Sequence, residues 1–183
     1  MSDKDVKNKH YETIISEKEV FSGRVFRVAQ RDVELENGEK AVRDVVYHNG
    51  GAAVLPVDID GNVYLVRQFR SAFNSEVLEI PAGKLEKGED PFFAAVRELE
   101  EETGFRTDSI IKLGEYWPTV GYCSETVYLY LAKMLTKGNT NFDEDEFISI
   151  VKMPYVQAYK MCMNGEIRDG KTQLAILKAK YYL

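Results

Sequence analysis

The chain has 183 residues, which fits one domain and lies below the size at which a single hydrophobic core stops growing. Its 44% of hydrophobic and 30% of charged residues predict a globular protein with a sizeable core, and they exclude disorder and low complexity. The formal net charge of -6 disfavours nucleic acid and anionic membranes as partners. An anionic substrate would therefore have to be bound locally, through a metal.

Cysteine use and the N-terminus predict the cellular setting. Cys123 and Cys162 form no CxxC pair and do not cluster in the sequence with His10 or His48, so neither a zinc site nor a disulfide framework is expected. The N-terminal residues are too charged for a signal peptide, and the apolar runs are too short to cross a bilayer. We expect a cytoplasmic protein.

The first part of the chain predicts a small antiparallel lobe, residues 1–47. Apolar and polar residues alternate between Ile14 and Tyr47, and Asn37-Gly38 is typical of a tight hairpin turn. A second domain is expected over residues 48–183. In it a turn at residues 60–62 separates two near-continuous apolar segments, which indicate strands buried on both faces.

One helix carries clear start and stop signals. After a strand near residues 76–80, the loop PAGKLEKGED leads to Asp90 as N-cap and Pro91 at the first helical position, and Gly104 can end the helix in a left-handed conformation. The remaining predictions are strands near residues 110–116, 126–135 and 148–153, and helices over residues 155–163 and after Lys171.

That helix carries an acidic stripe. Glu101 and Glu102 follow Glu98 by three and four residues, so these carboxylates project from one side of the helix. The opposite side offers these residues to the core: Phe92, Val96, Leu99 and Thr103. The stripe is either a solvated face or a site for a hard cation, and charge runs on helices are usually solvated faces.

The segment around this helix matches a known motif. The pattern GX5EX7REUXEEXGU, with U apolar, is met without departure by Gly83, Glu89, Arg97, Glu98, Leu99, Glu101, Glu102, Gly104 and Phe105. A chance match in a chain of this length is on the order of 10^-7. The segment resembles the Nudix hydrolases, which use divalent metal to cleave a nucleoside diphosphate linked to another group. The resemblance implies an α/β/α sandwich around a mixed sheet, with the motif as loop, helix and loop.

The resemblance also implies a metal site. Glu98 and Glu102 would be the principal ligands, Glu101 a further ligand or a base, and the carbonyl of Ala82 would complete one site. Arg97 would orient the glutamates. Mg2+ prefers oxygen ligands and commonly takes one or two carboxylates plus substrate phosphate. Two or three Mg2+ ions per site are therefore expected, with Mn2+ as the alternative metal.

An acidic loop offers a proton acceptor. The sequence DEDEF contains Glu144 and Glu146, at the place where the family carries its catalytic loop glutamate. The implied reaction is attack of water on one phosphorus of a pyrophosphate, with a carboxylate taking the proton. The alternative for this segment is an ordinary solvated acidic loop.

Within the family, the chain resembles the ADP-ribose pyrophosphatase group. The resemblance lies in VYLVRQFRSAF, in the N-terminal lobe and in the acidic loop. It implies a homodimer in which the lobes exchange strands and two subunits build each active site. Arg70 would contact a phosphate, Arg43 and Asp44 would hold the base, and Phe26 would stack on it. The alternatives are that Phe26 belongs to the lobe core and that Arg43 and Asp44 are surface charges.

Two features leave the substrate open. Thr119-Val120-Gly121 stands where the group carries Ser-Pro-Gly, and Tyr122 lies near the tyrosine of dinucleoside polyphosphate hydrolases. The tail GEIRDGKT is reminiscent of GDP-mannose hydrolases. We expect ADP-ribose first, giving AMP and ribose 5-phosphate, and GDP-mannose second, giving GMP and mannose 1-phosphate. A dinucleoside polyphosphate hydrolase and a nucleotide-sensing module without hydrolysis remain as alternatives.

The same tail also fits the phosphate-binding pattern GxxxxGK[ST] over residues 165–172. This pattern fixes only four positions, and the preceding PYVQAYKMCMN has helical rather than strand spacing. Few residues follow Thr172, too few for a further parallel sheet. A P-loop nucleotide site is therefore not predicted.

Overall fold

Three long antiparallel strands form the first unit of the computed structural model, which describes residues 10–139 and 147–183. The strands are β1 (Glu12–Ser22), β2 (Phe26–Leu35) and β3 (Lys40–His48), in the spatial order β1-β2-β3. The turn between β2 and β3 depends on Gly38, whose φ of 83° favours glycine. The antiparallel lobe and its hairpin are therefore confirmed.

The segment Thr119–Glu125 belongs to this first unit. The N–H of Val46 donates to the carbonyl of Tyr122 at 2.7 Å, and the N–H of Ser124 donates to the carbonyl of Val46 at 2.9 Å. The predicted division at residue 47 did not include this segment, because no periodicity in the sequence links it to β3.

The second unit spans residues 49–118 and the described residues from 126 onward. Its elements are β4 (Gly51–Pro56), β5 (Asn62–Arg70), β6 (Ser75–Glu79), β7 (Ala82–Lys84), α1 (Pro91–Thr103), β8 (Phe105–Arg106), β9 (Ser109–Tyr116), β10 (Val127–Lys133), β11 (Thr136–Lys137), β12 (Ser149–Pro154), α2 (Tyr155–Met163) and α3 (Gly170–Ala179). One sheet has the order β7-β4-β10-β9 and is mixed, because β4 and β10 are parallel while the other pairs are antiparallel. A second sheet, β12-β5-β6, is antiparallel, and β8 pairs with β11.

Helices cover both faces of the mixed sheet. Successive residues of β4 point to opposite faces, and all six are buried. Ala53 and Leu55 pack in one core cluster with Ile176 of α3, whereas Ala52 and Val54 pack in another with Leu99 of α1. This arrangement confirms the predicted α/β/α sandwich around a mixed sheet.

The turn at residues 60–62 leads from the mixed sheet to the antiparallel one, and Gly61 adopts a φ of 77° there. Burial of both faces was predicted for the strands on either side. That prediction holds for β4 and is wrong for the end of β5, where Arg67 and Phe69 are exposed. The reason is that β5 lies in the smaller sheet, which leaves this end of the strand uncovered. Within the described residues, no helix combines the length and the apolar character needed to cross a membrane.

Candidate active site

Helix α1 begins and ends at its predicted residues. The Asp90 side chain accepts a hydrogen bond from the N–H of Phe92 at 2.8 Å, and Pro91 occupies the first turn. Gly104 is left-handed at φ 69°, and its N–H donates to the carbonyl of Glu100 at 2.8 Å. Local chemistry therefore fixes the segment that carries the acidic stripe.

The face that α1 buries differs from the predicted one. Glu98 and Glu102 are only 8% and 2% exposed, so the solvated-face alternative is wrong for both. Phe92, expected in the core, is 40% exposed, while Leu99 and Thr103 are buried as predicted. The small side chains of α1 explain the difference, since Ala94 and Ala95 are fully buried and let the helix lie close to the sheet. The neighbouring carboxylates are thereby drawn inward.

The loop before α1 meets these buried carboxylates. The N–H of Ala82 donates to Oε2 of Glu102 at 3.2 Å. A Cβ added to Gly83 would lie 1.7 Å from Oε1 of Glu98, so only glycine leaves room for this carboxylate. The register of β7 on β4, with Ala82 opposite Ala53, holds the loop in this position. The backbone of Ala82 and Gly83 thus meets the two carboxylates at one edge of the sheet.

Arg97 contacts three carboxylates. Its Nη1 donates to Glu98 at 2.6 Å and to Glu101 at 2.9 Å, and its Nε donates to Glu89 at 3.2 Å. Burial alone would lower the pKa of Arg97, but the hydrogen bond to Glu89 and the charges of Glu98 and Glu101 outweigh it and raise that pKa above its usual range. The guanidinium remains charged and holds the acidic groups together.

Glu89 fixes the turn of the loop. Its carboxylate accepts a hydrogen bond from the N–H of Glu86 at 2.9 Å as well as those from Arg97. Burial would raise the pKa of Glu89, yet these donors lower it below the usual carboxyl value. The motif contained this residue, but no local pattern predicted its physical role.

Sequence reasoning missed a buried carboxylate, Glu79, which is 2% exposed. Arg70 donates to it through Nε at 2.7 Å and Nη2 at 2.8 Å, and Lys171 also donates to Oε2. The available signal was a single acidic residue in the apolar run VLEIP.

Arg70 and Glu79 each shift the pKa of the other. Burial would raise the pKa of Glu79, but Arg70 and Lys171 outweigh it and lower that pKa. The hydrogen bond to Glu79 raises the pKa of Arg70 against the effect of burial, and the charge of Glu102 contributes to the same rise. Arg70 therefore lies within electrostatic reach of the motif helix.

The GEIRDGKT segment forms a helix start rather than a phosphate loop. Asp169 is the N-cap of α3, and its carboxylate accepts hydrogen bonds from the N–H and hydroxyl of Thr172 at 3.0 and 2.5 Å. Thr172 accepts in turn from the N–H of Ile80 at 2.8 Å. Helix α2 precedes the segment, so the rejection of a P-loop is confirmed.

The other predicted substrate residues lie in the lobe. Arg43 pairs with Glu12 at 2.5 Å, and Asp44 accepts from Gln30 at 3.2 Å. Phe26 is 42% exposed, so the alternative that it belongs to the lobe core is wrong. Glu144 and Glu146 lie outside the described residues.

The donor chemistry of the site fits a divalent metal. Within residues 10–139 and 147–183, no three His, Cys, Asp or Glu side chains form a metal cage. Mg2+ commonly uses only one or two carboxylates, completed by water and substrate oxygens. Glu98 and Glu102 offer oxygen donors of this kind, and the absence of a Cβ at Gly83 leaves room for the Glu98 carboxylate.

A family model described as the NUDIX domain matches residues 47–172. The chain belongs to the Nudix family. Members of this family generally use divalent metal ions. A crystal structure described as that of an ADP compounds hydrolase matches with a TM-score of 0.83 and 25% identity, covering 94% of each chain. The predicted family and fold are both confirmed.

Relatives of known name match most of this Nudix chain. An ADP-ribose pyrophosphatase of Bacillus subtilis (strain 168) is 40% identical over 167 residues, which cover 90% of each chain. A methanol dehydrogenase activator of Bacillus methanolicus is 38% identical with the same coverage. A GDP-mannose pyrophosphatase of Shigella flexneri serotype 5b (strain 8401) is 32% identical, covering 79% of this chain and 82% of the relative.

Proposed function

We propose that this Nudix protein hydrolyses the pyrophosphate bond of nucleoside diphosphate sugars, with ADP-ribose as the first substrate and AMP and ribose 5-phosphate as products. The observation that carries the proposal is the burial of Glu98 and Glu102 against the Ala82-Gly83 backbone, within an intact motif. The 40% identity to an ADP-ribose pyrophosphatase supports ADP-ribose as the first choice.

Glu98, Glu102 and the carbonyl of Ala82 hold Mg2+, with Mn2+ as the alternative and two or three ions in each site. Glu101 is a further ligand or a base. When bound, divalent metal neutralises the diphosphate and acidifies water. Arg97 orients the carboxylates, a role supported by its hydrogen bonds to Glu98 and Glu101.

Four further residues bind parts of the substrate. Arg70 contacts a phosphate, which is supported by its 41% exposed side chain and by the use of only Nε and Nη2 in the bonds to Glu79. Arg43 and Asp44 hold the base, and Phe26 stacks on it. The 42% exposure of Phe26 supports a role as a stacking surface.

Glu144 or Glu146 takes the proton from the attacking water. Changing the acceptor to Gln should lower kcat strongly while KM stays within about threefold, because the interaction is made chiefly in the transition state. The Mg2+ concentration for half activity should stay unchanged, whereas Glu98→Gln should raise it. If both single variants and the double variant keep their turnover, Glu101 becomes the leading acceptor.

The lobe forms a homodimer with a second copy of the chain. Every residue of the edge strand β1 is exposed. The exposed apolar side chains of the lobe include Tyr11, Ile14, Ile15, Val20, Phe21, Val25, Phe26 and Val42. A bare sheet edge beside so much apolar surface favours pairing with another chain.

Neither nucleic acid nor membrane is a partner, and the free thiols of Cys123 and Cys162 support a reducing cytoplasm.

A hydrolysis screen with Mg2+ tests the proposal. ADP-ribose, GDP-mannose, dinucleoside polyphosphates and nucleoside triphosphates are compared by kcat/KM. We expect ADP-ribose to exceed the others by about tenfold or more. A preference for GDP-mannose would favour the second candidate, which the relative from Shigella flexneri supports. Tight binding without turnover of any compound would indicate a sensing module instead.

A further inference from the structure

The buried carboxylate of Glu79 has no role in the chemistry proposed above. It ends β6 between Leu78 and Ile80, which are 8% and 0% exposed. Burial of an ionised carboxylate is costly unless the charge is paired and hydrogen-bonded. A buried charge at this position, immediately before the loop of the metal site, therefore needs an explanation.

Arg70 is the first partner of Glu79. It is the last residue of β5, directly before the turn to β6, and lies opposite Ser75. Two parallel hydrogen bonds, of 2.7 and 2.8 Å, join its guanidinium to both oxygens of Glu79. Such a bidentate pair fixes the plane of the guanidinium as well as its position. Arg70 is thus oriented while 41% of its side chain stays exposed.

Lys171 and the start of α3 hold Glu79 from the other side. Lys171 donates to Oε2 of Glu79 and to Asp169, the latter at 3.1 Å. The hydroxyl of Thr172 accepts from the N–H of Ile80 at 2.8 Å, which ties the residue after Glu79 to the first turn of α3. Glu79 is therefore anchored in the second unit by groups other than Arg70.

We infer that Glu79 is a positioning residue that holds the Arg70 guanidinium ready for the substrate diphosphate. This inference rests on the proposed hydrolysis of nucleoside diphosphate sugars. A free arginine side chain loses rotamer freedom when it binds a phosphate, and an arginine already held in place loses less. Lys171 keeps Glu79 in place, so Glu79 acts on the substrate only through Arg70.

A double-mutant cycle tests this role, with ADP-ribose and Mg2+ as the probe. Glu79→Gln should lower kcat/KM about tenfold and Arg70→Ala about a hundredfold. The double variant should match Arg70→Ala within about threefold, because Glu79 has nothing left to orient. The Mg2+ concentration for half activity should stay within about twofold in all variants. Additive losses, or wild-type kcat/KM for Glu79→Gln, would overturn the inference.

A second pair of variants separates positioning from stability. Glu79→Gln leaves Lys171 without its buried partner and with Asp169 alone, and adding Lys171→Met removes the charge that Glu79 no longer balances. We expect the Tm to recover in this double variant while kcat/KM stays low. Recovery of kcat/KM together with the Tm would mean that Glu79 is merely structural. Glu79→Asp keeps the charge with a shorter reach, and it replaces Glu79→Gln in the cycle if the latter does not fold.

The matched control is Glu115→Gln, which makes the same change in an exposed carboxylate that pairs with Lys112 at 3.3 Å. This variant should keep wild-type kcat/KM. The hydrolysis rate of the wild type distinguishes failure of the proposed function from failure of the positioning role. If the wild type hydrolyses no nucleoside diphosphate sugar, the proposed function is overturned and the positioning role with it. An active wild type with an additive cycle overturns the positioning role alone.

Discussion

The two units of the protein treat charged and apolar side chains in opposite ways. In the lobe, the Arg43–Glu12 pair is 43% and 40% exposed, and Phe21 exposes 53% of its surface. In the second unit, Glu79, Glu98 and Glu102 are buried and hydrogen-bonded. Buried charges are costly and cluster at functional sites, whereas exposed apolar patches indicate association. The contrast is consistent with the chemistry proposed for the second unit and with the dimerisation proposed for the lobe.

A cluster of charged side chains in the lobe lies at the sheet surface, unlike the buried carboxylates of the second unit. The Arg27 guanidinium lies 3.6 Å from the centre of the Tyr47 ring, and the Tyr47 hydroxyl contacts both Glu17 and Arg31. The hydrogen bonds from Tyr47 and Arg31 lower the pKa of Glu17. Surface interactions of this kind contribute little stability each, so the cluster orders the sheet surface rather than building a core.

The largest effect is expected from the buried carboxylate of Glu102. Glu102→Gln removes the charge of the proposed metal ligand and keeps its shape, so kcat should fall about a hundredfold or more while the fold stays intact. Steady-state kinetics at saturating Mg2+, with circular dichroism as the folding control, measure this. Near-normal kcat would mean that Glu102 is not a metal ligand. It would also contradict the proposed contrast between the two units.

Gly83 and Gly88, both in the segment before α1, separate effects on activity from effects on stability. An alanine at Gly83 would collide with Glu98, whose flexible end can move, so Gly83→Ala should lower kcat/KM about tenfold with little change in Tm. Gly88 has open space around it but a φ of 82°. Gly88→Ala should therefore cost about 1 kcal/mol of folding stability and leave kcat/KM unchanged. Equal kinetic losses in both variants would contradict the specific contact at Gly83.

A substitution in the lobe is expected to change dimerisation. Ile15→Glu places a charge on the edge strand where the wild-type side chain is 50% exposed, and it should weaken dimerisation about tenfold or more. Sedimentation at micromolar concentration measures this. Lys18→Glu on the same strand is the control for a simple change of charge. A wild type that sediments only as a 20.9 kDa species would refute the dimer.

The smallest effect concerns Asp58, which caps the turn between the two sheets. Its carboxylate accepts hydrogen bonds from the N–H of Asn62 at 2.8 Å and from Tyr64 at 3.0 Å, and pairs with Lys152 at 2.8 Å. Burial would raise its pKa, but these donors lower it well below the usual carboxyl range.

Because the folded pKa is lowered, the stability from Asp58 is fully present above the unfolded carboxyl value and is lost as the pH falls below it. Asp58→Asn should therefore cost about 1 kcal/mol at pH 7, and the difference should shrink on acidification. Urea unfolding of both proteins across this pH range measures it. A difference that grows toward acid pH would contradict this sign.

The sequence by itself determined the local elements and the family. The ends of α1 follow from Asp90, Pro91 and Gly104, because capping and the left-handed stop depend on residues within one turn. The motif over residues 83–105 fixed the spacing of the carboxylates in the same local way. The acidic loop that contains Glu144 and Glu146 lies outside the described residues, so its role is still a prediction.

Only the tertiary structure decided which of these charges are buried and what holds them. The periodicity of α1 allowed its acidic side to face solvent, but in the folded protein Glu98 and Glu102 are buried and lie against β7. Lys171 reaches Glu79 across 92 positions of the chain, a pairing that no local pattern encodes. Burial of a charge depends on the elements packed against it, and these come from distant segments that meet only in the folded protein.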